Sequence, residues 1–242
     1  MTDEVKVERV LVVAAHPDDV DFGCAGSVAL WTSQGIEVHY CICTDGDAGG
    51  FDESISRAEM GRLRRREQTA AAAEVGVADL HFLGHPDGRL YVTHELRHDI
   101  TRVIRTVRPQ RVISPSPERN YDRIYASHPD HLAAGEATLC AVYPDARNPF
   151  AHGDLLEDER LEPWTVSEVY LMAHAKGDVW VDITETFDRK IAALLRHESQ
   201  HVRRDEPGSL ERMLREWATR IAQQGELPEG HLAEGFRRID TR

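Results

Sequence analysis

The strongest constraint on the fold is a continuous apolar run near the amino terminus that leads directly into a polar turn. Residues 10–15 read VLVVAA, and HPDD follows at residues 16–19. An apolar run without alternation is typical of a parallel strand whose two faces are both covered. In open α/β sheets, ligands bind at the carboxyl ends of such strands. The polar turn therefore lies where a binding or catalytic site is expected.

Strand and helix patterns alternate along the rest of the chain, which is the sequence signature of a parallel sheet with helices on its faces. Strand patterns occur at residues 36–44, 80–83, 112–114 and 166–173, helical spacing occurs at 57–75, 94–107 and 128–143, and a strand and an amphipathic helix follow at 179–201. We predict an α/β fold with a mostly parallel sheet in a single domain over residues 1–242. It would carry a flap at 144–165 and a helical tail from about residue 203.

Composition restricts the partners of the chain. Its formal net charge is -13 at pH 7, which disfavours binding to nucleic acid or to anionic membranes. No apolar run approaches the ~18 residues of a membrane span, and the amino terminus has no signal-peptide pattern. The four cysteines lack CxxC spacing, which argues against a disulfide framework. We expect a cytoplasmic protein with no nucleic-acid or membrane partner, and a homo-oligomer is left open.

Two HPD tripeptides supply side chains that suit a metal site. A catalytic zinc site takes three ligands from histidine and carboxylate side chains and leaves a fourth position open. His16 and Asp19 can point into one crevice, and His131 from a second strand-end loop would complete the set. Asp18 is adjacent to a ligand, which suits a general base for the water that the metal activates.

The second HPD turn offers two further groups. His128 lies one helical turn before His131 and could face the reacting carbonyl, and Asp130 could orient one of the imidazoles. A third HPD begins at His85, where a plain turn and a substrate contact through Asp87 both remain open. All three tripeptides follow predicted strands, so we expect their loops to converge on one rim of the sheet.

Other readings apply to several of these residues. A lone HPD turn needs no catalytic role, because Asp caps helices and Pro favours the first helical turn. Two such turns that together supply a ligand set and spare titratable groups are harder to explain by capping alone. The basic run at residues 62–66 is typical of a solvated helix face, from which Arg64 could reach inward. No role is assigned to His174, His197 or His201, which are read as surface or packing residues.

Five segments follow one another as in the LmbE-like, or PIG-L-type, metal-dependent N-deacetylases. They are AHPDDVDFG (15–23), CTDGDAGG (43–50), the Arg64 and Glu67 step before AAAAEVGV, FLGHPDG (82–88) and HPDHLAAG (128–135). The chain resembles this family over about residues 8–200. The resemblance implies a Rossmann-like three-layer fold and the hydrolytic removal of an acetyl group from an N-acetylglucosamine-type or related N-acyl substrate. It also implies Zn2+, or in some members Fe2+, as the cofactor, and a small N-acetylated sugar or glycoside as the partner.

The resemblance also implies roles for individual residues by motif position. These are His16, Asp19 and His131 as metal ligands, Asp18 as the base, His128 as acid or oxyanion stabiliser with Asp130 behind it, and Arg64 and Asp87 as sugar contacts. For the reaction we expect His128 to act in its charged form. The ligands and the base coincide with those that the spacing of the two HPD turns predicts.

The chain departs from the family pattern at two places. Family members usually carry Glu where this chain has Asp21, a shorter acid suited to a structural hydrogen bond. Some relatives place a tyrosine two residues before the first histidine of HPDH. Here Ala126 occupies that position and Tyr125 precedes it.

Two other functions stay open. Two histidines and one carboxylate also form the facial triad of ferrous oxygenases, but the spare carboxylate of Asp18 suits a hydrolase better. A noncatalytic sugar-binding protein could keep the same fold. The intact set of polar residues in both turns disfavours that alternative.

Overall fold

The computed structural model describes residues 5–122, 124, 127–201 and 208–242, and within them strands and helices alternate as predicted. The strands are β1 (Arg9–Ala14), β2 (Glu37–Thr44), β3 (Asp79–His85), β4 (Arg111–Pro115), β5 (Glu168–Met172), β6 (Val179–Asp182) and β7 (Ala233–Asp240). The helices are α1 (Asp19–Ser33), α2 (Arg57–Glu74), α3 (His94–Val107), α4 (Pro129–Cys140), α5 (Gly153–Glu157), α6 (Phe187–Leu195), α7 (Glu198–His201) and α8 (Ser209–Gln224). Tyr125, Ala126 and the predicted start of the tail at about residue 203 lie outside the described residues.

The strands form one seven-stranded sheet in the order β3-β2-β1-β4-β5-β7-β6. Strands β1 to β5 pair in parallel, whereas β7 is antiparallel to both β5 and β6. The predicted α/β fold with a mostly parallel sheet is therefore confirmed. The chain leaves β1 to one side for β2 and returns to the other side of β1 as β4. The carboxyl ends of β1 and β4 thus flank the crevice in which such folds bind ligands.

Strand β1 lacks alternation because each of its faces contacts a different hydrophobic core. Val10, Val12 and Ala14 join the core that contains residues of α1 and α2. Leu11 and Val13 join the core under α3 and α4. All five side chains are fully buried. Helices consequently cover both faces of the sheet, and polar groups are confined to the ends of the strand.

Local sequence signals set the start of two helices that flank the site. A capping box begins α2, in which Ser56 and Glu59 each accept a hydrogen bond from the backbone of the other. Thr93 caps α3 by accepting a hydrogen bond from the Leu96 amide. The bounds of α3 match the predicted 94–107, because its apolar residues keep helical spacing throughout.

The sequence analysis did not predict β7. Its sequence, AEGFRRID, contains few apolar residues, and only Phe236 and the first two residues are buried to the level of a core strand. Strand β7 is stabilised by its two antiparallel neighbours and by an ion pair between Arg238 and Glu168 on β5. These contacts join residues that are distant in sequence, and the alternation of apolar and polar residues within β7 does not reveal them.

Residues 144–165 pack against α3 through several contacts. Leu155 is fully buried, and the His98 ring lies 2.7 Å from the Asp154 carboxylate. The buried Arg105 donates hydrogen bonds to the carbonyls of Asp145, Ala146, Asn148 and Ala151. Whether this segment acts as a flap stays a prediction.

In the part of the chain that the structure describes, no helix is long and apolar enough to cross a membrane.

The close approach of α4 to β4 makes Gly135 sensitive to substitution. An added Cβ at this position would lie 2.5 Å from the Pro115 carbonyl oxygen and 2.9 Å from the Pro117 nitrogen, both backbone atoms. We expect Gly135→Ala to lower the free energy of unfolding by about 1–3 kcal/mol, which corresponds to a Tm roughly 2–12 °C lower for a chain of this size. Thermal unfolding followed by circular dichroism measures the change. Gly153→Ala is the matched control, because its Cβ would meet only the Glu157 carboxylate at 3.7 Å. Equal Tm values for the two variants would contradict the close approach.

Candidate active site

The three HPD turns converge at the carboxyl edge of the sheet, as their positions after strands predict. The ring of His16, which follows β1, lies at the centre. Its Nε2 atom is 3.1 Å from Asp87 Oδ1, in the loop after β3, and 3.3 Å from Asp130 Oδ2, in the first turn of α4. Side chains distant in sequence thus form one polar cluster between β1 and β4.

The three predicted metal ligands lie within contact distance of one another. His16 Nδ1 is 3.3 Å from both His131 Nε2 and Asp19 Oδ2, and His131 Nε2 is 3.0 Å from Asp19 Oδ1. Bonds of about 2.0–2.1 Å in a tetrahedral zinc site place ligand atoms about 3.3 Å apart. The spacing and the donor types of these three side chains therefore fit a small divalent metal ion.

The electrostatics around His16 also fit a bound cation. Burial acts to lower the pKa of His16, but the carboxylates of Asp19, Asp130 and Asp87 raise it to about 12. Burial likewise opposes the charged form of His131, yet Asp19 raises its pKa as well. The carboxylates thus favour a positive charge at both imidazoles. A metal ion would supply that charge in place of the protons.

The carboxylate of Asp130 lies behind His16. It is almost fully buried and accepts hydrogen bonds from the amides of Gly88, at 2.7 Å, and Leu90, at 3.3 Å. Asp130 contacts His128 through its backbone and not through this carboxylate. The Asp130 amide donates a hydrogen bond to His128 Nδ1 at 3.2 Å. Because ligating histidines commonly donate their second N–H to a carboxylate, Asp130 and Asp87 are placed to orient the ring of His16.

His128 stands beside the ligand pair as the residue that precedes α4. Its ring centroid is 5.0 Å from that of His16 and 5.4 Å from that of His131. Since Nδ1 accepts the Asp130 amide hydrogen, the proton of a neutral ring resides on Nε2. Burial and the two neighbouring imidazoles lower the pKa of His128. These contacts favour a neutral hydrogen-bond donor rather than the charged form that we expected for the reaction.

Asp18 adopts a left-handed backbone conformation, with φ of 83°, and its side chain contacts Arg64. Non-glycine residues pay about 1–2 kcal/mol for this region, and Asp is among the better tolerated. Side-chain atom Oδ2 lies 3.2 Å from the Arg64 guanidinium. Burial raises the pKa of Asp18 to about 6, against the opposing effect of Arg64. A carboxylate with such a pKa suits a general base near neutral pH.

Arg64 and Asp87, the predicted sugar contacts, are both held by protein partners. Arg64 is 4% exposed and donates to the carbonyls of Gly46, at 3.0 Å, and Pro17, at 2.6 Å. Asp87 accepts a hydrogen bond from the Ala48 amide at 3.0 Å in addition to its contact with His16. Arg64 therefore does not belong to a solvated face, and it lies against the predicted base. The contact of either residue with a sugar stays a prediction.

A buried group behind Asp18 was missed by the sequence analysis. Gln68 accepts a hydrogen bond from the Asp18 amide at 2.8 Å and donates to Asp21 Oδ2 at 2.9 Å. His197 Nε2 contacts the same Asp21 oxygen at 2.7 Å, and both Asp21 and His197 are fully buried. The structural hydrogen bond expected of Asp21 is thus confirmed. The only sequence signal for Gln68 is its position four residues after Arg64, on the same face of α2.

Gln68 makes both of these hydrogen bonds in a buried position, so its loss should destabilise the chain. We expect Gln68→Met, which keeps the side-chain volume, to lower the free energy of unfolding by about 1–3 kcal/mol, because the Asp18 amide and a buried carboxylate oxygen each lose a partner. Denaturant unfolding measures this quantity. Gln34→Met, at an exposed position after α1, is the control. A shift no larger than that of the control would mean that Gln68 does not support the Asp18 turn.

Comparisons with known proteins found a family model, several relatives and solved structures that match this chain. The family model described as "PIG-L: GlcNAc-PI de-N-acetylase" matches residues 11–142. A diacetylchitobiose deacetylase of Thermococcus kodakarensis is 34% identical over 194 residues, which cover 80% of this chain and 70% of the relative. A probable N-acetyl-alpha-D-glucosaminyl L-malate deacetylase 2 of Bacillus cereus is 33% identical over 199 residues, which cover 79% and 83% of the two chains.

A solved structure is similar over nearly the whole chain. The N,N'-diacetylchitobiose deacetylase from Pyrococcus horikoshii, in complex with an inhibitor, superposes with a TM-score of 0.88 at 31% sequence identity. The match covers 98% of this chain and 85% of that chain. The similarity therefore includes the carboxyl-terminal residues that the family model does not reach.

Proposed function

The chain belongs to the PIG-L family of de-N-acetylases, and from that premise we propose that it is a metal-dependent hydrolase of N-acetylglucosamine-type substrates. The observation that carries the proposal is the contact of the His16 and His131 rings with each other and with one oxygen each of Asp19, at 3.0–3.3 Å, beside the separate carboxylate of Asp18. The named relatives act on small N-acetylated sugars, which supports a substrate of that class.

We assign the metal to His16, Asp19 and His131. Two imidazoles and one carboxylate suit Zn2+, and the same donors also suit Fe2+. When bound, such an ion polarises an amide carbonyl and lowers the pKa of a water molecule. We expect zinc first, because hydrolysis requires no change in the oxidation state of the metal ion.

The remaining side chains have separate tasks in this proposal. Asp18 accepts the proton of the attacking water at its carboxylate and returns it to the amine nitrogen as the C–N bond breaks, and Arg64 holds that carboxylate in place. His128 donates its Nε2 hydrogen to the acetyl oxygen as negative charge develops there. Asp87 and Asp130 keep the His16 ring oriented so that Nδ1 faces the metal position.

The two alternatives are less well supported. A ferrous oxygenase would need the same donor triangle but would have no use for the isolated carboxylate of Asp18. A noncatalytic sugar-binding protein would not need the left-handed backbone at Asp18, which has a cost in backbone energy. The relatives named as deacetylases favour hydrolysis over both alternatives.

Metal analysis of variants tests the ligand assignment. We expect purified wild-type protein to hold metal at this site and His16→Ala or His131→Ala to lose it, because a three-ligand site reduced to two ligands binds poorly. Asp18→Asn is the matched control. It should keep the metal and lose turnover by roughly 100-fold to 10,000-fold, the usual contribution of a general base. Elemental analysis and amine release are the two measurements, and full metal content in both histidine variants would contradict the assignment.

A substrate panel tests the reaction class. Deacetylation unmasks a primary amine, so fluorescamine can report activity on N-acetylglucosaminides that differ in the group attached to the sugar, with diacetylchitobiose among them. We expect activity on at least one member, loss of that activity with a chelator, and recovery with Zn2+ or Fe2+. Metal-loaded protein that releases no amine from any member, yet binds one of them, would support the sugar-binding alternative.

A further inference from the structure

A second group of side chains of the types that ligate metals lies at the amino ends of β2 and β3. One ligand atom each from Glu37, His39 and Asp79 lie within 4.8 Å of one another. The parallel register pairs His39 with Asp79 and Cys41 with His81, so these side chains share one face of the sheet. The proposed catalytic metal site, in contrast, is at the carboxyl ends of the strands. The distance from His39 to Thr44, at that end of β2, is roughly 17 Å at about 3.3 Å per residue.

His39, the imidazole of this group, packs against the ring of a second histidine, His81. His39 is 9% exposed, and its Nε2 atom lies 2.7 Å from Glu37 Oε1. Its ring stacks on that of His81, with centroids 6.0 Å apart and an interplanar angle of 26°. Among the described residues, His39 Nδ1 and His81 Nε2 are two of the buried side-chain atoms that have no hydrogen-bond partner. Buried polar atoms are nearly always paired with protein, water or an ion, so the polar contact of the His39 ring rests on its Nε2 atom, which lies beside Glu37.

We propose that Glu37, His39 and Asp79 bind a second divalent transition-metal ion of the zinc type, with the His81 ring packed against His39. An imidazole with two carboxylates selects for transition metals, whereas Mg2+ and Ca2+ favour oxygen-only sites. The site is accessible, because the Glu37 side chain is 58% exposed and Asp79 is also exposed. Coordination of Glu37 Oε1 and His39 Nε2 would use the pair of atoms that already lie in contact.

The expected consequence of binding is mechanical rather than catalytic. Strand β3 is the outermost strand of the sheet and pairs only with β2 within the seven-stranded order of the described residues. An ion held by His39 on β2 and Asp79 on β3 would link the edge strand to its neighbour. Because the ion would bind the folded chain and not the unfolded one, Tm should rise by roughly 5–10 °C at a 100-fold excess of metal over Kd.

Metal stoichiometry of the untagged protein tests this proposal. After chelator treatment, the chain is titrated with Zn2+ alone and, separately, with Co2+ alone, and bound metal is measured by equilibrium dialysis and elemental analysis. We expect two ions per wild-type chain and one in His39→Gln. His94→Gln, at an exposed position at the start of α3, is the matched control and should still bind two. The rise of Tm with metal should likewise persist in His94→Gln and shrink in His39→Gln.

A second variant covers the case in which His39→Gln fails to fold. Asp79→Asn removes an exposed carboxylate, so it should leave the Tm of the metal-free protein unchanged while it abolishes binding of the second ion. Retention of that ion in both His39→Gln and Asp79→Asn would overturn the proposal.

His16→Ala distinguishes the proposed site of Glu37, His39 and Asp79, called the edge site, from the proposed catalytic site. In that variant one ion should remain, and the rise of Tm with metal should be preserved. A wild-type chain that binds one ion, which His39→Gln abolishes and His16→Ala does not, would support the edge site and contradict the catalytic one. A chain whose entire metal content is lost in His16→Ala would overturn the edge site and leave the proposed function intact.

Discussion

The structure depends on the burial of β1 on both faces. A strand in this position cannot carry a polar side chain along its length, because either face would place that group in a hydrophobic core. Polar residues can therefore appear only where the strand stops. His16 follows Ala14 and Ala15 and is the first side chain past β1 that can meet polar partners. The same constraint that builds the core thus concentrates the titratable groups at one edge.

At that edge, two neighbouring carboxylates receive opposite environments. Asp19 faces His131 and His16, which lower its pKa against the opposing effect of burial. Asp18, one residue earlier, faces Arg64, yet its burial raises its pKa. The backbone of Asp18 is left-handed, and Gln68 secures this turn by accepting a hydrogen bond from the Asp18 amide. One short turn can therefore supply both a metal ligand and a base without the two carboxylates competing for the same cation.

The features that could be predicted from the sequence are those with strong local signals. The continuous apolar run of β1 and the helical stripe of α3 are of this kind, and the family resemblance is confirmed by the comparisons. Strand β7 could not be predicted, because it is stabilised by neighbours that are distant in sequence. The same holds for His197, whose partner Asp21 is 176 residues away.

Within the site, spacing predicted which residues meet but not which atoms pair. Position in an HPD turn does not determine whether Asp130 reaches His16 or His128, because that choice depends on the Gly88 and Leu90 amides of another loop. Nor does a basic run indicate that one arginine is buried. Arg64 is enclosed because Gly46 and Gly49 leave no side chain in its path. Such details depend on tertiary packing.

The position of β7 between β5 and β6 also has a consequence for biosynthesis. Strand β6 emerges from the ribosome before β7, yet in the sheet it pairs with β7 and not with β5. Until β7 is translated, the nascent chain presents β5 as an unprotected edge and β6 as a strand without its partner. The parallel part of the sheet, with the residues of all three HPD turns, is already synthesised at that stage. The sheet can therefore be completed only after β7 is translated. A chain whose translation stops before β7 would expose unpaired backbone groups of β5, which can pair with other chains.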